Sequence, residues 1–489
     1  MTGPSIGGRA TEADHDADVL VVGSGAGGAV TAALLAEAGI DVLVVEEGPW
    51  IEQGVLAPFS LEQMDRQYRA GGITVALGRP SIAYTEGRCA GGGTEVNSGL
   101  YRRPPPEILE RWRRDFEIGD FDPDDLYAIG AELEAALSVS TSPGGLTAAG
   151  DVLRRGADAL GWANSEIPRW MVYPDPAAPE SGQRQSMTRT FLPRAARAGA
   201  RILTECRVDR LERQGGRARS ATVTLADGRT GSIRFRDVIV CGGAIQTPAL
   251  LQRSGIGGVI GKTLAVHPTV KLAARFREPI NVPNDVPVHQ VKEFAPDLSF
   301  GCSASGPGLV ALALSDNWTD FARAMPEWRD IAVYYAAITS EGRGRVRAVP
   351  GWREPVVTYR LTARDRELLR SGLARLALVM LEAGAIEVYP SVRDAPLVRN
   401  RRDLAELQRT FRATRASVMT VHLCSTVPMG EREGACGADS HGRVHGTDNV
   451  YVNDASLLPD APGVNPQGTV MAFAVRNARH YLARRTTHA

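Results

Sequence analysis

An apolar run of strand length leads directly into a glycine-rich turn at Asp18-Val-Leu-Val-Val-Gly23-Ser-Gly-Ala-Gly-Gly28. An Ala/Leu-rich segment follows as far as Ala38, and a second apolar run comes after it, Asp41-Val-Leu-Val-Val-Glu46. A strand, a turn, a helix and a second strand within about 30 residues form a βαβ unit. Strands this apolar belong to parallel sheets that are covered on both faces. The sequence therefore predicts an α/β fold built on a Rossmann-like parallel sheet.

The turn has the G-x-G-x-x-G spacing of a dinucleotide-binding site. Glycines at these positions allow a tight turn and let the backbone approach a pyrophosphate at a helix N-terminus, whose dipole favours anions. Glu46, at the end of the second strand, suits hydrogen bonds to ribose hydroxyls and disfavours the 2′-phosphate of NADP. A glycine-rich turn with only a structural role does not explain this acid. The predicted dinucleotide-binding residues are Gly23, Ser24, Gly25, Ala26, Gly28 and Glu46.

The source of electrons is indicated by the lack of a second such unit in the sequence. A flavoenzyme that is reduced by NAD(P)H commonly carries two strand–GxGxxG–helix units. The other glycine-rich segment, Gly255-Ile-Gly-Gly-Val-Ile-Gly261, follows a helix-like run and not a strand. We therefore expect the electrons to come from the substrate itself.

Four further segments resemble the glucose–methanol–choline (GMC) oxidoreductases. Gly87-Arg-Cys-Ala-Gly-Gly-Gly-Thr-Glu-Val-Asn97 resembles the flavin-side loop of that family, and Gly243-Ala-Ile-Gln-Thr-Pro-Ala-Leu-Leu-Gln-Arg-Ser-Gly-Ile-Gly257 resembles its second signature. Gly261-Lys-Thr-Leu-Ala-Val-His267 and the block from His422 to Ala478 follow in the same order. The resemblance covers the chain from about Ala17 to its end.

The resemblance implies an FAD-binding lobe, a substrate lobe built on an antiparallel sheet with helices, and oxidation of a CH–OH group. It places Val208 at the adenine end of FAD and backbone groups of Asp454 and Ala455 at the pyrophosphate or ribityl chain. Val96 stands where covalently flavinylated relatives have His, so we expect FAD to be held non-covalently. The cofactor-binding residues implied by the resemblance are Arg88, Gly92, Gly93, Asn97, Val208, Asp454, Ala455, Asn465 and Pro466.

Two residues of the C-terminal block match the family's catalytic positions. The resemblance makes His422 the general base and Asn465 the residue that holds the substrate oxygen, a pair closest to that of choline and cholesterol oxidases. An imidazole with an ordinary pKa of about 6.5 is suited to accept a proton at neutral pH. An amide can donate to a developing alkoxide without competing for its proton. Gln467, close by, predicts a more polar pocket beside the flavin.

For the other histidines and for Cys424, a structural role is a simpler interpretation than a catalytic one. We expect His267 to have a structural or pocket-wall role, and His441 and His445 to be surface or structural residues beside a turn. Buried packing is the simpler role for Cys424. For the aromatic residues of the middle lobe, lining the substrate site and core packing are equally good interpretations; they include Trp318, Tyr334 and Tyr335.

The domain organisation is predicted to be discontinuous. Residues 1–16 form a disordered leader; residues 17–55, 83–130, 197–270 and 420–489 form the FAD-binding domain; residues 56–82, 131–196 and 271–419 form the substrate-binding domain. Mixed β-forming segments in the middle of the chain and an amphipathic helix from Asp365 to Ala383 support the second domain. Glu341-Gly-Arg-Gly344 is predicted to be a hairpin tip.

Composition restricts the partners. The formal net charge is zero, which argues against nucleic acid or an anionic membrane as an obligate partner. The six cysteines are scattered without a C-x-x-C pair, so neither zinc nor dithiol chemistry is expected. There is no apolar stretch of about 18 residues and no signal-like leader, which predicts a cytoplasmic protein without a membrane segment.

Several alternatives stay open on the sequence. An FAD-dependent alcohol oxidase or dehydrogenase is the leading interpretation, with O₂ or another carrier as electron acceptor. A lyase resembling the hydroxynitrile lyases, a light-dependent flavoprotein and an NAD-dependent dehydrogenase are the competitors. The neutral net charge favours a neutral small-molecule alcohol as substrate, and the sequence leaves the oligomeric state open.

Overall fold

The computed structural model describes residues 8–177, 182–281 and 288–487. Its helices, in chain order, are α1 (Ala26–Glu37), α2 (Leu61–Gln67), α3 (Gly93–Val96), α4 (Pro106–Phe116), α5 (Pro123–Ala136), α6 (Ala148–Ala159), α7 (Phe191–Arg197), α8 (Gly243–Arg253), α9 (Pro307–Leu314), α10 (Trp318–Phe321), α11 (Ala363–Glu382), α12 (Arg401–Thr410) and α13 (Gln467–Thr487).

The strands, in chain order, are β1 (Gly8–Arg9), β2 (His15–Val22), β3 (Val42–Val45), β4 (Thr74–Ala76), β5 (Ile82–Tyr84), β6 (Val139–Ser140), β7 (Asn164–Glu166), β8 (Arg169–Val172), β9 (Gln183–Arg184), β10 (Arg201–Thr204), β11 (Cys206–Gln214), β12 (Arg217–Leu225), β13 (Thr230–Val240), β14 (Ala265–Val266), β15 (Thr269–Arg275), β16 (His289–Val291), β17 (Leu298–Cys302), β18 (Ile331–Ile338), β19 (Arg343–Arg347), β20 (Val356–Arg360), β21 (Glu387–Pro390), β22 (Val418–Thr420), β23 (Leu423–Cys424) and β24 (Val450–Val452).

The first sheet confirms the predicted βαβ unit. Its strands lie in the order β1-β10-β3-β2-β13-β12-β11, and β24 also pairs with β13. The pairs β10–β3, β3–β2, β2–β13 and β13–β24 are parallel. All four residues of β3 and the last four of β2 are buried, because helices such as α1 cover this part of the sheet. Carboxyl ends of parallel strands meet at one edge, and the glycine turn after β2 lies at that edge.

The second sheet is the predicted antiparallel one. Its order is β4-β5-β22-β15-β18-β17-β16-β7, with β21 also paired to β15. The one departure is that β5 and β22 run parallel. Helix α11, which begins with a capping box at Thr362 and Asp365, packs on one face of this sheet. The opposite face is the side on which Thr269, Lys271 and Tyr335 line a cavity.

The structure differs from three predictions made from the sequence: the end of the leader, the hairpin tip and one domain boundary. The leader was expected to be disordered to residue 16, but Gly8–Arg9 pair with β10 and β2 begins at His15; residues 1–7 lie outside the described residues. Glu341–Gly344 is not a hairpin tip, because β18 belongs to the second sheet while β19 pairs with β20. Helix α7 packs with the first sheet's core through Phe191 and Leu192, although it lies in the segment assigned to the substrate-binding domain.

The remaining domain boundaries stay a prediction. Two separate clusters of buried side chains accompany the two sheets, which agrees with a division into two lobes. Across the described residues, the helices are all too short or too polar to cross a bilayer.

Candidate active site

One cavity of about 550 Å³ reaches from the glycine turn to the second sheet. At one end it is lined by Val22, Val45 and Val240, which are the last residues of the parallel strands β2, β3 and β13. At the other end it is lined by side chains of β15 and β18. The cavity therefore joins the carboxyl edge of the first sheet to one face of the second.

The glycine turn exposes backbone to the cavity. Helix α1 has Gly25 as its N-cap without a side-chain cap, and a Cβ at Gly25 would meet nothing within 4 Å. A Cβ at Gly27 would instead lie 1.9 Å from the Asn453 carbonyl oxygen, and one at Gly28 would lie 2.0 Å from that of Gly23. Gly25 thus leaves room for a ligand beside uncapped N–H groups, whereas Gly27 and Gly28 permit close packing.

Glu46 is held beside the turn by three hydrogen bonds, which come from Ser24 and Gly48. One carboxylate oxygen accepts from the Ser24 amide (3.1 Å) and the Ser24 hydroxyl (2.7 Å), and the other accepts from the Gly48 amide (2.8 Å). Burial raises the pKa of this carboxyl above its ordinary value, against the effect of these donors. Glu46 and Ser24 both line the cavity, as predicted for a ribose-binding end.

The predicted flavin-side loop also reaches the cavity. A Cβ at Gly92, whose φ is 53°, would lie 3.1 Å from the Gly25 Cα, and Gly93 and Asn97 line the same space. Asn97 Nδ2 donates to Gln467 Oε1 at 2.6 Å, so Gln467 is a polar neighbour of this loop. Val96 lines the cavity as well, and its side chain has no nucleophilic atom.

Arg88 is not among the residues that line the cavity, because its guanidinium lies against Glu47, with Nε 3.4 Å from Oε1, and its contact with the cofactor stays a prediction. Gly28 does not line the cavity either, since it packs against the turn itself. Val208 and Pro466 do line it.

Asp454 and Ala455 lie at the cavity beside the N-terminus of α8. Asp454 Oδ2 accepts from the Gly243 amide (2.7 Å) and the Thr247 hydroxyl (2.5 Å), and Oδ1 accepts from Ser456. The carboxylate therefore joins its own turn to the N-terminal part of α8.

The structure brings His422 and Asn465 together in the cavity, 43 residues apart in sequence. Asn465 Nδ2 lies 3.5 Å from His422 Nε2. His267 is the third member of the cluster: its Nδ1 lies 2.9 Å from His422 Nδ1, and its Nε2 accepts from the Gly463 amide at 3.2 Å. His267 is thus both a wall of the cavity and a direct partner of His422.

Burial keeps both imidazoles neutral near pH 7. Burial, together with the positive charge of Lys292, lowers the pKa of His422 to about 4. The pKa of His267 is also well below its ordinary value, because of burial, then His422, then Lys292. A neutral imidazole is the form that can accept a proton.

The other sequence candidates lie outside the cavity. Cys424 is buried, with Sγ 3.5 Å from the Ala265 carbonyl oxygen, in agreement with a packing role. His441 stacks on His480 with ring centroids 3.4 Å apart. His445 is exposed, with Nε2 3.2 Å from the Gly430 carbonyl oxygen.

The three middle-lobe aromatics separate into different roles. Trp318 is 48% exposed on the surface. Tyr334 is fully buried in the core, where its hydroxyl donates to the Ala149 carbonyl at 3.1 Å. Tyr335, on the opposite face of the same strand, lines the cavity.

The sequence analysis did not single out many of the residues that line the cavity; among the polar ones are Arg69, Lys271, Gln290 and Lys292. They lie on segments without a family motif, so no local pattern marked them. The sequence did contain one indication for Lys271 and Lys292, because lysine is rare in this chain: only three of its 56 lysine and arginine residues are lysines.

A parallel sheet with an uncapped glycine turn, a buried acid beside that turn and a polar second sheet that faces the same cavity are typical of dinucleotide-binding α/β proteins. Family comparison gives the particular family. Residues 64–269 and 340–474 match the models of the GMC oxidoreductases, and residues 16–61 match an FAD binding domain. The chain belongs to the GMC oxidoreductase family and is an FAD-dependent oxidoreductase.

Relatives cover nearly the whole chain. An uncharacterized GMC-type oxidoreductase of Sinorhizobium fredii, y4nJ, is 40% identical over 97% of this chain and 96% of its own length. The long-chain-alcohol oxidase FAO3 of Arabidopsis thaliana is 27% identical over 95% of this chain and 68% of its own.

Solved structures share the fold. Pyridoxine 4-oxidase of Mesorbium loti superposes with a TM-score of 0.70 at 20% identity, covering 96% of this chain and 99% of its own. A formate oxidase of Aspergillus oryzae RIB40, studied for its FAD modification, gives 0.75 at 16% identity, covering 98% and 100%. The fold expected from the resemblance is thereby confirmed.

Proposed function

We propose that this enzyme oxidises a CH–OH group of a small-molecule alcohol, with His422 as general base and Asn465 as the residue that binds the alcohol oxygen. The observation that carries the proposal is the meeting of these two side chains in the cavity, with Asn465 Nδ2 3.5 Å from His422 Nε2. The long-chain-alcohol oxidase and pyridoxine 4-oxidase names of relatives support alcohol oxidation as the reaction class.

The residues fit FAD. The open space beside Gly25 and the uncapped start of α1 suit the pyrophosphate, and Glu46 suits the adenosine ribose. Gly92, Asn97 and the Asn465 turn would then border the flavin end. FAD held by these residues would supply the two-electron acceptor that oxidation of a carbinol requires. We propose that FAD is held non-covalently because Val96 offers no nucleophile, and that O₂ or another carrier receives the electrons.

The proton of the hydroxyl group is assigned to His422 Nε2. The Gly463 amide donates to His267 Nε2, so the proton of a neutral His267 lies on Nδ1 and is donated to His422 Nδ1. That arrangement places the proton of a neutral His422 on Nε2. The base-competent arrangement is the other one, in which His422 Nδ1–H donates to His267 Nδ1 and His422 Nε2 is free. It gives up the Gly463 hydrogen bond, which costs about 1 kcal/mol.

Asn465 completes the site. Its amide can donate to the alcohol oxygen while negative charge develops there, without competing for the proton that His422 takes. The neutral state of His422, maintained by burial and Lys292, keeps it ready to accept that proton. The proposed base and oxygen-binding pair resemble those of choline and cholesterol oxidases.

The test is anaerobic flavin reduction measured by stopped-flow absorbance with a panel of alcohols. His422→Ala should slow reduction by about 10²–10⁴-fold, the usual scale for loss of a general base, while FAD stays bound. His445→Ala is the matched control, because this exposed histidine lies outside the cavity. Reduction of His422→Ala at the wild-type rate would contradict the assignment; product formed without flavin bleaching would indicate a lyase instead.

A further inference from the structure

Two of the chain's three lysines line the cavity, although arginine serves nearly everywhere else. Lys271 Nζ donates to Ser303 Oγ at 3.2 Å. The structure records no hydrogen bond and no ion pair for the ammonium group of Lys292 in the described ranges. The third lysine, Lys262, is exposed and lies outside the cavity lining.

The lysines belong to a polar row that crosses four neighbouring strands. Lys271 on β15 is paired in register with Tyr335 on β18, Tyr335 with Gly301 on β17, and Gly301 with Gln290 on β16. Residues directly opposite each other on neighbouring strands project to the same face of a sheet. Lys292 follows Gln290 by two positions, so it continues the same face, which is the face toward the cavity.

Gly301 allows Tyr335 on one neighbouring strand to reach Gln290 on the other. A Cβ at this position would lie 2.4 Å from the Tyr335 hydroxyl oxygen. Without that Cβ, the Tyr335 ring lies across the backbone and its hydroxyl accepts from Gln290 Nε2 at 3.0 Å. The hydroxyl hydrogen of Tyr335 is then left to donate to a ligand.

The carboxylates of the cavity wall are engaged elsewhere. Arg69 pairs with Glu47 at 2.7 Å, with Glu86 at 3.6 Å and with Glu354 at 3.1 Å. Glu46 and Asp454 accept from backbone amides and hydroxyls at the nucleotide end. The positive charges of Lys271 and Lys292 therefore have no compensating carboxylate in the described part of the wall.

Burying an ammonium group without an anion is costly, so an uncompensated pair calls for a functional explanation. Burial lowers the pKa of Lys271 to about 8 and that of Lys292 to about 8, and the neighbouring Arg102 adds to the effect on Lys292. Both groups still carry most of their positive charge at pH 7.

The polar row and the proposed base His422 line different parts of the same cavity. His267, Thr269 and Lys271 alternate along one extended segment and all line the cavity. The four residues of extended chain from His267 to Lys271 span about 13 Å. A substrate of several carbons can therefore bridge the two places.

We propose that the substrate is an alcohol that also carries an anionic group, a carboxylate or a phosphate, which Lys271 and Lys292 bind while the carbinol lies at His422. This inference rests on the proposed alcohol oxidation and replaces the neutral alcohol expected from net charge. Tyr335 donates a further hydrogen bond to the anion.

The first test uses the wild-type holoenzyme and matched substrate pairs at pH 7: a hydroxy carboxylate against its methyl ester, and a sugar phosphate against the free sugar. For at least one pair, the second-order rate constant of flavin reduction should be about 10²-fold higher for the anion, and this preference should fall with ionic strength. The two pairs distinguish carboxylate from phosphate. Equal rates within both pairs would overturn the anion site and leave alcohol oxidation standing.

The second test assigns the preference to the lysines. Lys271→Met and Lys292→Met should each lower the ratio of the rate constant for the anionic alcohol to that for its neutral partner by about 10–100-fold. Lys262→Met, at an exposed residue outside the cavity lining, should leave this ratio unchanged. FAD content and the flavin midpoint potential are measured for each variant, since a shifted potential with unchanged substrate preference would mean that the lysines act on the flavin, and would overturn the proposal.

A third readout separates the two proposals. A carboxylate without a hydroxyl group, such as benzoate, should perturb the flavin absorbance spectrum in wild type and not in Lys292→Met. If this binding is seen but no alcohol reduces the flavin, the anion site stands and the alcohol oxidation fails.

Discussion

The two ends of the cavity are built in different ways. At the nucleotide end, Gly25 and Glu46 come from one continuous βαβ unit, and the Glu46 carboxylate has backbone and hydroxyl donors around it. At the substrate end, Lys271 on β15, Tyr335 on β18 and Lys292 just after β16 are brought together by strand pairing, and the lysine charges are uncompensated. The difference shows that the cofactor end is encoded locally and is complete in its polar contacts, while the substrate end depends on sheet register and is completed by its ligand.

The largest effect expected in a comparison of the two ends is a loss of FAD affinity at the nucleotide end, caused by a substitution that leaves the fold intact. Gly25→Ala should lower FAD affinity by roughly 100-fold, because the new Cβ projects into open cavity space beside the uncapped N–H groups and costs about two charge-assisted hydrogen bonds. Thermal unfolding of the apoprotein should change little. The measurement is titration of apoprotein with FAD by flavin fluorescence.

Gly27→Ala provides the contrast. Its Cβ would lie 1.9 Å from the Asn453 carbonyl oxygen, so the apoprotein itself should lose about 1–3 kcal/mol of unfolding free energy. If both variants changed stability and FAD affinity alike, the assignment of Gly25 to the ligand and of Gly27 to packing would be wrong.

A smaller effect is expected at the junction of the two ends, where His267 contacts the base. His267→Ala should slow flavin reduction by roughly tenfold, because His422 Nδ1–H loses its acceptor and the imidazole loses its orientation. His267→Asn offers an amide oxygen in its place and should recover most of the rate. A purely structural role would instead show equal loss in both variants, together with lower thermal stability.

The smallest expected effect is that of pH on the rate constant of flavin reduction. Because the pKa of His422 is lowered to about 4, its imidazole is neutral throughout the range from pH 6 to 8. The rate constant of flavin reduction by a neutral alcohol should therefore be constant over that range and fall only as the pH drops toward 4, where the base becomes protonated. An inflection near pH 6.5 would show an imidazole with its ordinary pKa and would contradict the burial argument.

The sequence predicted the first sheet and the antiparallel second sheet, since strand periodicity and the glycine spacing are local, and most of the residues predicted to bind the cofactor line the cavity. Helix α11 was expected at residues 365–383 and is found at Ala363–Glu382. The pairing of His422 with His267 was not predicted, because it depends on the packing of two segments 155 residues apart. The ion pair of Arg88 with Glu47 was not predicted either, because the loop motif does not indicate which charge this side chain meets.

The substrate end could not be predicted from local pattern. The alternation of Lys271 with buried residues indicates a strand, but which neighbours face it is set by the register with β18, β17 and β16. The rarity of lysine in an arginine-rich chain was the only sequence feature that singled out these positions.

The most direct measurement is a crystal structure of the FAD-loaded protein. The account predicts the adenosine ribose at Glu46 and the flavin ring beside His422 and Asn465, with His422 Nε2 within hydrogen-bond reach of an oxygen placed against the ring. A flavin ring remote from His422, or an FAD whose adenine end occupies the lysine-lined side, would contradict it.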